Sequence, residues 1–137
     1  MNRTQSREEA FRLIYSLQII KEVDVDEQLN FFYESEEIAD EDAKIYVEET
    51  IKGILANREK IENEIKGNIK EGWSMERISK VDLALLKLGI YEMLFANIPY
   101  KVVINEVVEL SKKYGNEKSQ SFINGVLANV LKQNNIV

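Results

Sequence analysis

The sequence predicts an all-α fold of six or seven helices, and three observations support this. Apolar side chains recur at every third or fourth position over most of the 137 residues, which is the spacing of one helix face. No segment keeps the strict apolar–polar alternation of a strand. The only proline, Pro99, interrupts the helical pattern once. A turn signal at Gly72 divides the chain into two helical subdomains, about 1–72 and 73–137, which we expect to pack as one domain.

Two helices are predicted in the first 35 residues. The first covers residues 5–20, with Ser6 and Glu9 in the positions of a capping box. The second covers residues 24–35, where Asp24 matches the preferred residue type for a helix N-cap.

A long apolar stripe follows, and Asp40 is its predicted N-cap. The stripe continues for about 30 residues, which is long for a helix in a globular protein. We therefore expect a bend at Gly53, and the alternative of two separate helices stays open. A single helical turn is predicted at 75–78, before a capping pattern that begins at Ser79.

The segment 81–96 is apolar around almost its whole circumference, so we expect it at the centre of the core. It is too short and too often interrupted by charge to span a membrane. Pro99 then forces a turn, and the next helix is predicted to end at Gly115. The last helix begins near Asn116.

The composition excludes much of enzyme chemistry. The chain contains no cysteine and no histidine, which removes thiolate nucleophiles, imidazole bases and the usual zinc ligands. The glycines are scattered rather than grouped in a phosphate-binding loop, and no EF-hand spacing is present. We therefore expect no catalytic site, no metal and no cofactor. The N-terminus lacks the features of a signal peptide, so we expect a cytoplasmic protein without a membrane anchor.

The negative charge is concentrated in one segment. The net charge of the chain is −6, but residues 21–50 alone carry −10, so the rest sums to +4. Basic surface can therefore exist elsewhere, and the acidic total does not exclude RNA as a partner.

Two surface features are candidates for binding. On the first helix, Arg7, Phe11 and Tyr15 follow one another at four-residue intervals, an arrangement that suits base stacking and phosphate contact. The alternative is that both rings belong to the core and Arg7 covers them. On the last helix, a strip of small residues that includes Gly125 lies opposite the apolar face, and we interpret Gly125 as a packing position.

Four stretches carry a resemblance to a known family. These are "SREEAFRLIYSLQ" at 6–18, "WSMERISKVDLALLKLGIYEM" at 73–93, "IPYKVVINEVVELSKKYG" at 98–115 and "SQSFINGVL" at 119–127. Together they resemble the NusB family of bacterial transcription antitermination factors.

The resemblance implies a fold of two packed helical bundles and a non-enzymatic function. It implies that the protein binds the boxA element of ribosomal RNA transcripts together with NusE, and joins an RNA polymerase elongation complex with other Nus factors. A homodimer that hides the RNA surface stays open. The competing hypothesis is a helical protein-interaction adaptor that binds no RNA.

The resemblance also implies an RNA surface, made of basic and aromatic residues from the opening helix, the "IPYK" motif and the beginning of the last helix. Its members here are Arg3, Arg7, Tyr15, Tyr100, Lys101, Lys118, Phe122 and Asn124. The arginine cluster of the opening helix is sparser than in many family members, since Glu8 and Glu9 interrupt it. We therefore expect weak affinity for RNA in the absence of NusE.

Overall fold

Helix-forming segments account for most of the chain. The computed structural model describes residues 1–20 and 24–137, and these ranges contain α-helices, one 3₁₀ turn and no strand. The helices are α1 (Arg3–Leu17), α2 (Val25–Ser35), α3 (Glu41–Ala56), α4 (Arg58–Lys66), α5 (Lys80–Leu94), α6 (Tyr100–Tyr114) and α7 (Ser119–Gln133), and the 3₁₀ turn is Met75–Arg77. The prediction of an all-α fold with six or seven helices is confirmed.

The first helix begins earlier than predicted. Asn2 is the N-cap of α1, and its side chain and that of Gln5 form a capping box with each other's backbone N–H. The predicted box of Ser6 and Glu9 is therefore wrong. Ser6 is buried inside the first turn, and its hydroxyl donates to the carbonyl of Asn2.

The other predicted caps are confirmed. The side chains of Asp24, Asp40 and Ser79 each accept a hydrogen bond from the backbone N–H three residues later. These bonds satisfy donors that have no partner within the helix, and they fix the beginnings of α2, α3 and α5.

The long stripe is two helices, which divide at Asn57 rather than at Gly53. Asn57 has non-helical backbone angles, and its side-chain amide donates to the carbonyl of Gly53. The expected bend at Gly53 is wrong, because this glycine serves packing. A Cβ there would collide with the ring of Tyr91.

The helix α5 lies at the centre of the core, as predicted. It contacts α1, α3, α4, α6 and α7. The side chains of Leu85, Leu86 and Leu88 are fully buried by these neighbours. Among the residues that the structure describes, no helix is long and apolar enough to cross a membrane. The division into two subdomains near Gly72 stays a prediction, and α4 on one side of it also contacts α7 on the other.

Candidate nucleic-acid interface

Arg7 is the largest departure from the predicted RNA surface. Its side chain is only 2% exposed. Its Nε donates to Glu92 Oε1 at 2.6 Å and its Nη2 to Glu92 Oε2 at 3.2 Å, while Nη1 lies 3.3 Å from Glu106 Oε1. The guanidinium thus joins α1 to α5 and α6 from inside the protein. The prediction that Arg7 contacts RNA is wrong, because phosphate cannot reach a cation enclosed in this way.

The ion pairs of Arg7 with Glu92 and Glu106 form a polar network, to which a residue of α3 also belongs. The hydroxyl of Tyr46 donates to Glu92 Oε2 at 3.0 Å. Burial, and then the charge of Glu92, raise the pKa of Tyr46, so its hydroxyl keeps its proton. Burial alone would lower the pKa of Arg7, but the hydrogen bond and the charge of Glu92 outweigh it and raise this pKa. The network therefore holds a paired cation and anion inside the core.

The two rings that follow Arg7 on α1 have different environments. Phe11 belongs to the core, and its ring centroid lies 4.8 Å from that of Tyr114. Tyr15 is half-buried and lines an open cavity together with Phe31 of α2 and Val81 of α5. The core interpretation is therefore correct for Phe11, whereas Tyr15 keeps a face toward solvent.

Arg3 lies at the exposed beginning of α1. Its guanidinium carbon is 4.2 Å from the ring centroid of Tyr46, a cation–π contact. The neighbouring Thr4 donates from its hydroxyl to Glu106 Oε1 at 2.7 Å. The network around Arg7 thus extends to the surface, and Arg3 is held there with its cationic group accessible to a phosphate.

Three predicted residues line one groove between α6 and α7. Tyr100 and Lys101 open α6, and Asn124 faces them from α7. The groove has a volume of about 420 Å³, and Ser121 and Asn105 contribute further polar groups to it. An ammonium, a phenol and side-chain amides can together contact phosphates and base edges.

Phe122 lies on the other flank of α7. At 100° per residue it is separated from Asn124 by about 200° around the helix. Its half-buried ring has its centroid 6.5 Å from that of Trp73, with 33° between the ring planes. Trp73 is 46% exposed, so one aromatic pair reaches the surface. Trp73 was not among the residues predicted from the sequence. It is the only tryptophan of the chain and lies in a polar segment, which could have indicated an exposed ring.

Lys118 precedes this aromatic pair in the chain. It occupies the N-cap position of α7, and its backbone N–H donates to Asn116 Oδ1 at 2.8 Å. Its side chain is exposed, at the end of α7 where the helix dipole is positive. We call the pair Trp73–Phe122, together with Lys118 at the beginning of the same helix, the aromatic flank of α7.

Gly125 lies on the outer face of α7, between the groove and the aromatic flank. It is exposed, and a Cβ built on it would meet no atom within 4 Å. The interpretation of Gly125 as a packing position is therefore wrong, because no other part of the described chain packs against it.

The structure does not unite the predicted residues into one continuous patch. It gives a groove (Tyr100, Lys101, Asn124), an aromatic flank (Lys118, Phe122) and a separate exposed cation, Arg3. Over residues 1–20 and 24–137, no group of three or more acidic side chains is arranged to hold a metal ion.

Comparison with known proteins relates the chain to one family. The model of the NusB family matches residues 4–132. The chain is 45% identical to the transcription antitermination protein NusB of Clostridium botulinum (strain Loch Maree / Type A3), with 96% of this chain and all of that protein covered. It is 46% identical to the protein of the same name from Acetivibrio thermocellus, with 96% of this chain and 90% of that protein covered.

Solved structures with a similar fold carry the same protein name as the sequence relatives. The fold matches T. maritima NusB with a TM-score of 0.88 at 33% identity, covering 97% of this chain and 92% of that one. It matches a chain in a crystal structure of the antitermination factors NusB and NusE in complex with dsRNA with a TM-score of 0.86 at 28% identity, covering 96% of each chain.

Proposed function

Because the chain belongs to the NusB family, we propose that it is a transcription antitermination factor that binds boxA RNA of ribosomal RNA transcripts together with NusE. Relatives of nearly the same length carry the antitermination name, and a solved relative is bound to NusE and dsRNA. In this proposal the chain is not an enzyme. It acts in the cytoplasm, where it joins an elongating RNA polymerase with other Nus factors and supports read-through of terminators.

The aromatic flank of α7 is the observation that carries the RNA-binding part of the proposal. Trp73 is a large apolar side chain left almost half exposed, and it lies beside the half-buried ring of Phe122. The exposed Lys118 precedes Phe122 by four residues, about one helical turn. Exposed rings next to a cation suit unpaired RNA, because bases stack on the rings while ammonium groups neutralise phosphates.

The groove between α6 and α7 supplies a second set of contacts. Lys101 and Asn124 are exposed on its two walls, and Tyr100 is half-buried at its end. One RNA segment that uses both the groove and the aromatic flank has to cross the outer face of α7, where Ser121 and Gly125 present little side chain. Arg3 and Tyr15 are the proposed contacts on α1.

The surface charge favours this placement of RNA. The exposed acidic residues of α2 and α3, which include Asp26, Glu34 and Glu48, would repel a polyanion. Lys101 and Lys118 lie on α6 and at the beginning of α7, outside that acidic segment. RNA is therefore expected to contact α7 and its neighbours rather than α2 and α3.

A titration of boxA RNA with and without NusE tests the proposal. We expect weak binding to the protein alone and much tighter binding to the pair, with an affinity that falls as salt rises. A scrambled RNA of equal length is the control, and it should bind less tightly to the pair. If no complex with NusE forms, or if NusE leaves the RNA affinity unchanged, the proposal fails. Equal, weak binding of both RNAs would favour the adaptor hypothesis.

A further inference from the structure

Tyr46 of α3 lies under the exposed cation at the beginning of α1. Its side chain belongs to the interior, since the residue is only 7% exposed. The guanidinium carbon of Arg3 lies 4.2 Å from the centroid of the Tyr46 ring, well within the range of a cation–π contact. A planar guanidinium is suited to such a contact, because it can stack on an aromatic face. The ring of Tyr46 is therefore the platform on which the cationic group of Arg3 rests.

The ring of Tyr46 is fixed from inside the protein. Its hydroxyl donates to Glu92 Oε2 at 3.0 Å. Glu92 is itself only 1% exposed, and both of its carboxylate oxygens accept hydrogen bonds from Arg7. A ring that is packed in the core and bonded at its far end has little freedom to move. The buried network around Arg7 thus determines where the platform for Arg3 lies.

The stability of the fold does not account for an arginine at this position. Arg3 is the first residue of α1, where the helix dipole is positive and a cation is unfavourable, and the first turn contains no acidic residue. The carboxylates beside its chain neighbours have other donors, since Asp40 pairs with the amino group of Met1 at 2.8 Å and Glu106 accepts from Thr4 at 2.7 Å. Within the described part of the chain, none of the ion pairs involves Arg3. Its charge is therefore left for an external anion.

We propose that Tyr46 is a positioning residue of the RNA surface, and that its ring holds the guanidinium of Arg3 where this group contacts an RNA phosphate. The inference rests on the proposed function, in which Arg3 is a contact on α1. A guanidinium that is already held in one place loses little conformational freedom when a phosphate binds. A carboxylate partner would compete with the phosphate for the N–H donors of the guanidinium, whereas the face of a ring leaves them free.

Two substitutions of Tyr46 separate the role of its ring from that of its hydroxyl. Tyr46→Leu and Tyr46→Phe both remove the hydrogen bond to Glu92, but only Tyr46→Phe keeps the ring. In a titration of boxA RNA with NusE present, Tyr46→Leu should weaken binding about two- to fivefold, which corresponds to the loss of an exposed cation–π contact. Tyr46→Phe should restore the affinity of the wild type. Circular dichroism at the titration temperature checks that both variants are folded.

A double substitution separates positioning from a general effect on the fold. Arg3→Gln removes the cation and should weaken RNA binding at least as much as Tyr46→Leu. When Tyr46→Leu is added to Arg3→Gln, the affinity should fall no further, because a positioning residue acts only through the group that it holds. Damage to the fold would instead add to the effect of Arg3→Gln.

Tyr33→Leu is the matched control. Tyr33 also has a cation above its ring, the ammonium of Lys44 at 5.5 Å, but this pair lies on α2 and α3 within the acidic segment. Removal of that ring should leave the RNA affinity unchanged.

An NMR measurement on the wild type tests the contact without any change in the core. Protons held above an aromatic ring resonate upfield, so the side-chain protons of Arg3 should be shifted upfield in the free protein. Their signals are identified by their absence from the spectrum of Arg3→Gln. If the ring holds the guanidinium while it contacts phosphate, the upfield shift should persist in the complex with NusE and boxA RNA.

Three outcomes would overturn the inference. The first is that Tyr46→Leu binds RNA as tightly as the wild type, or more tightly. The second is that Tyr46→Leu and Tyr46→Phe lose affinity equally, which would assign the effect to the hydroxyl. The third is that the upfield shift of Arg3 disappears when RNA binds, because the cation then leaves the ring. Failure of the wild type to bind boxA RNA with NusE would instead overturn the proposed function, so the two failures are distinguishable.

Discussion

At the residue scale, Phe122 is the sharpest test of the RNA surface. Replacement by Ala should weaken binding of boxA RNA to the complex with NusE by about 1–3 kcal/mol, because one stacked base is lost. The ring is only half-buried, so the loss of folding stability should stay below the ~3–5 kcal/mol of a core phenylalanine. A fluorescence titration and a urea melt measure the two effects.

Phe95→Ala is the matched control for that substitution. Phe95 is also a half-buried phenylalanine, but it packs beside Tyr91 at the end of α5, away from the aromatic flank. The Phe95→Ala variant should lose folding stability and keep the RNA affinity of the wild type. Equal RNA affinity of the wild type and Phe122→Ala would remove the aromatic flank from the proposed interface.

Gly125 and Gly53 should respond in opposite ways to replacement by alanine. Gly125→Ala should stabilise the fold by about 0.5–1 kcal/mol, because glycine is a poor helix former and the added methyl group meets open space. Gly53→Ala should destabilise it, since its Cβ would collide with the Tyr91 ring. Urea denaturation of both variants measures the difference, and a loss of stability in Gly125→Ala would contradict the open outer face of α7.

At the scale of the elements, Arg7 anchors α1. Arg7→Gln should lower the free energy of unfolding by about 3–5 kcal/mol, because it leaves the charge of Glu92 buried without its partner. Arg12→Gln is the control on the same helix. Its pair with Glu36 is partly exposed and should contribute less than about 1 kcal/mol.

A double substitution checks that the loss of stability in Arg7→Gln comes from the unpaired charge of Glu92. When Glu92→Gln is added to Arg7→Gln, no unpaired charge remains in the core, and part of the stability should return. Urea melts of the two single variants and the double variant give the coupling energy. If Arg7→Gln costs no more than Arg12→Gln, the buried network does not anchor α1.

The elements also show which features could be predicted from the sequence. Caps at Asp24, Asp40 and Ser79 were predictable, because each depends on contacts within one turn of the chain. The burial of Arg7 was not, since Glu92 is 85 positions away and only the packing of α1 on α5 brings the two together. The same reason explains Gly53, whose partner Tyr91 lies on another helix.

At the scale of the whole molecule, acidic and basic side chains lie on different helices. This separation determines how the RNA affinity changes with salt concentration. The exposed acidic residues concentrate on α2 and α3, whereas Lys101 and Lys118 lie on α6 and at the beginning of α7. Each phosphate contact to single-stranded RNA contributes about 0.7 to the slope of log affinity against log salt concentration. The slope therefore reports the number of phosphate contacts, independently of the stacking energy.

Lysine substitutions should therefore divide into two groups. Lys101→Gln and Lys118→Gln should each reduce the magnitude of that slope by about 0.7, measured with boxA RNA and NusE across a salt series. Lys52→Gln is the control, because Lys52 on α3 is paired with Glu48 and Asp26 within the acidic segment. It should leave the slope unchanged. If Lys52→Gln lowers the slope and Lys118→Gln does not, RNA binds across the acidic helices, and the groove and aromatic flank are not the interface.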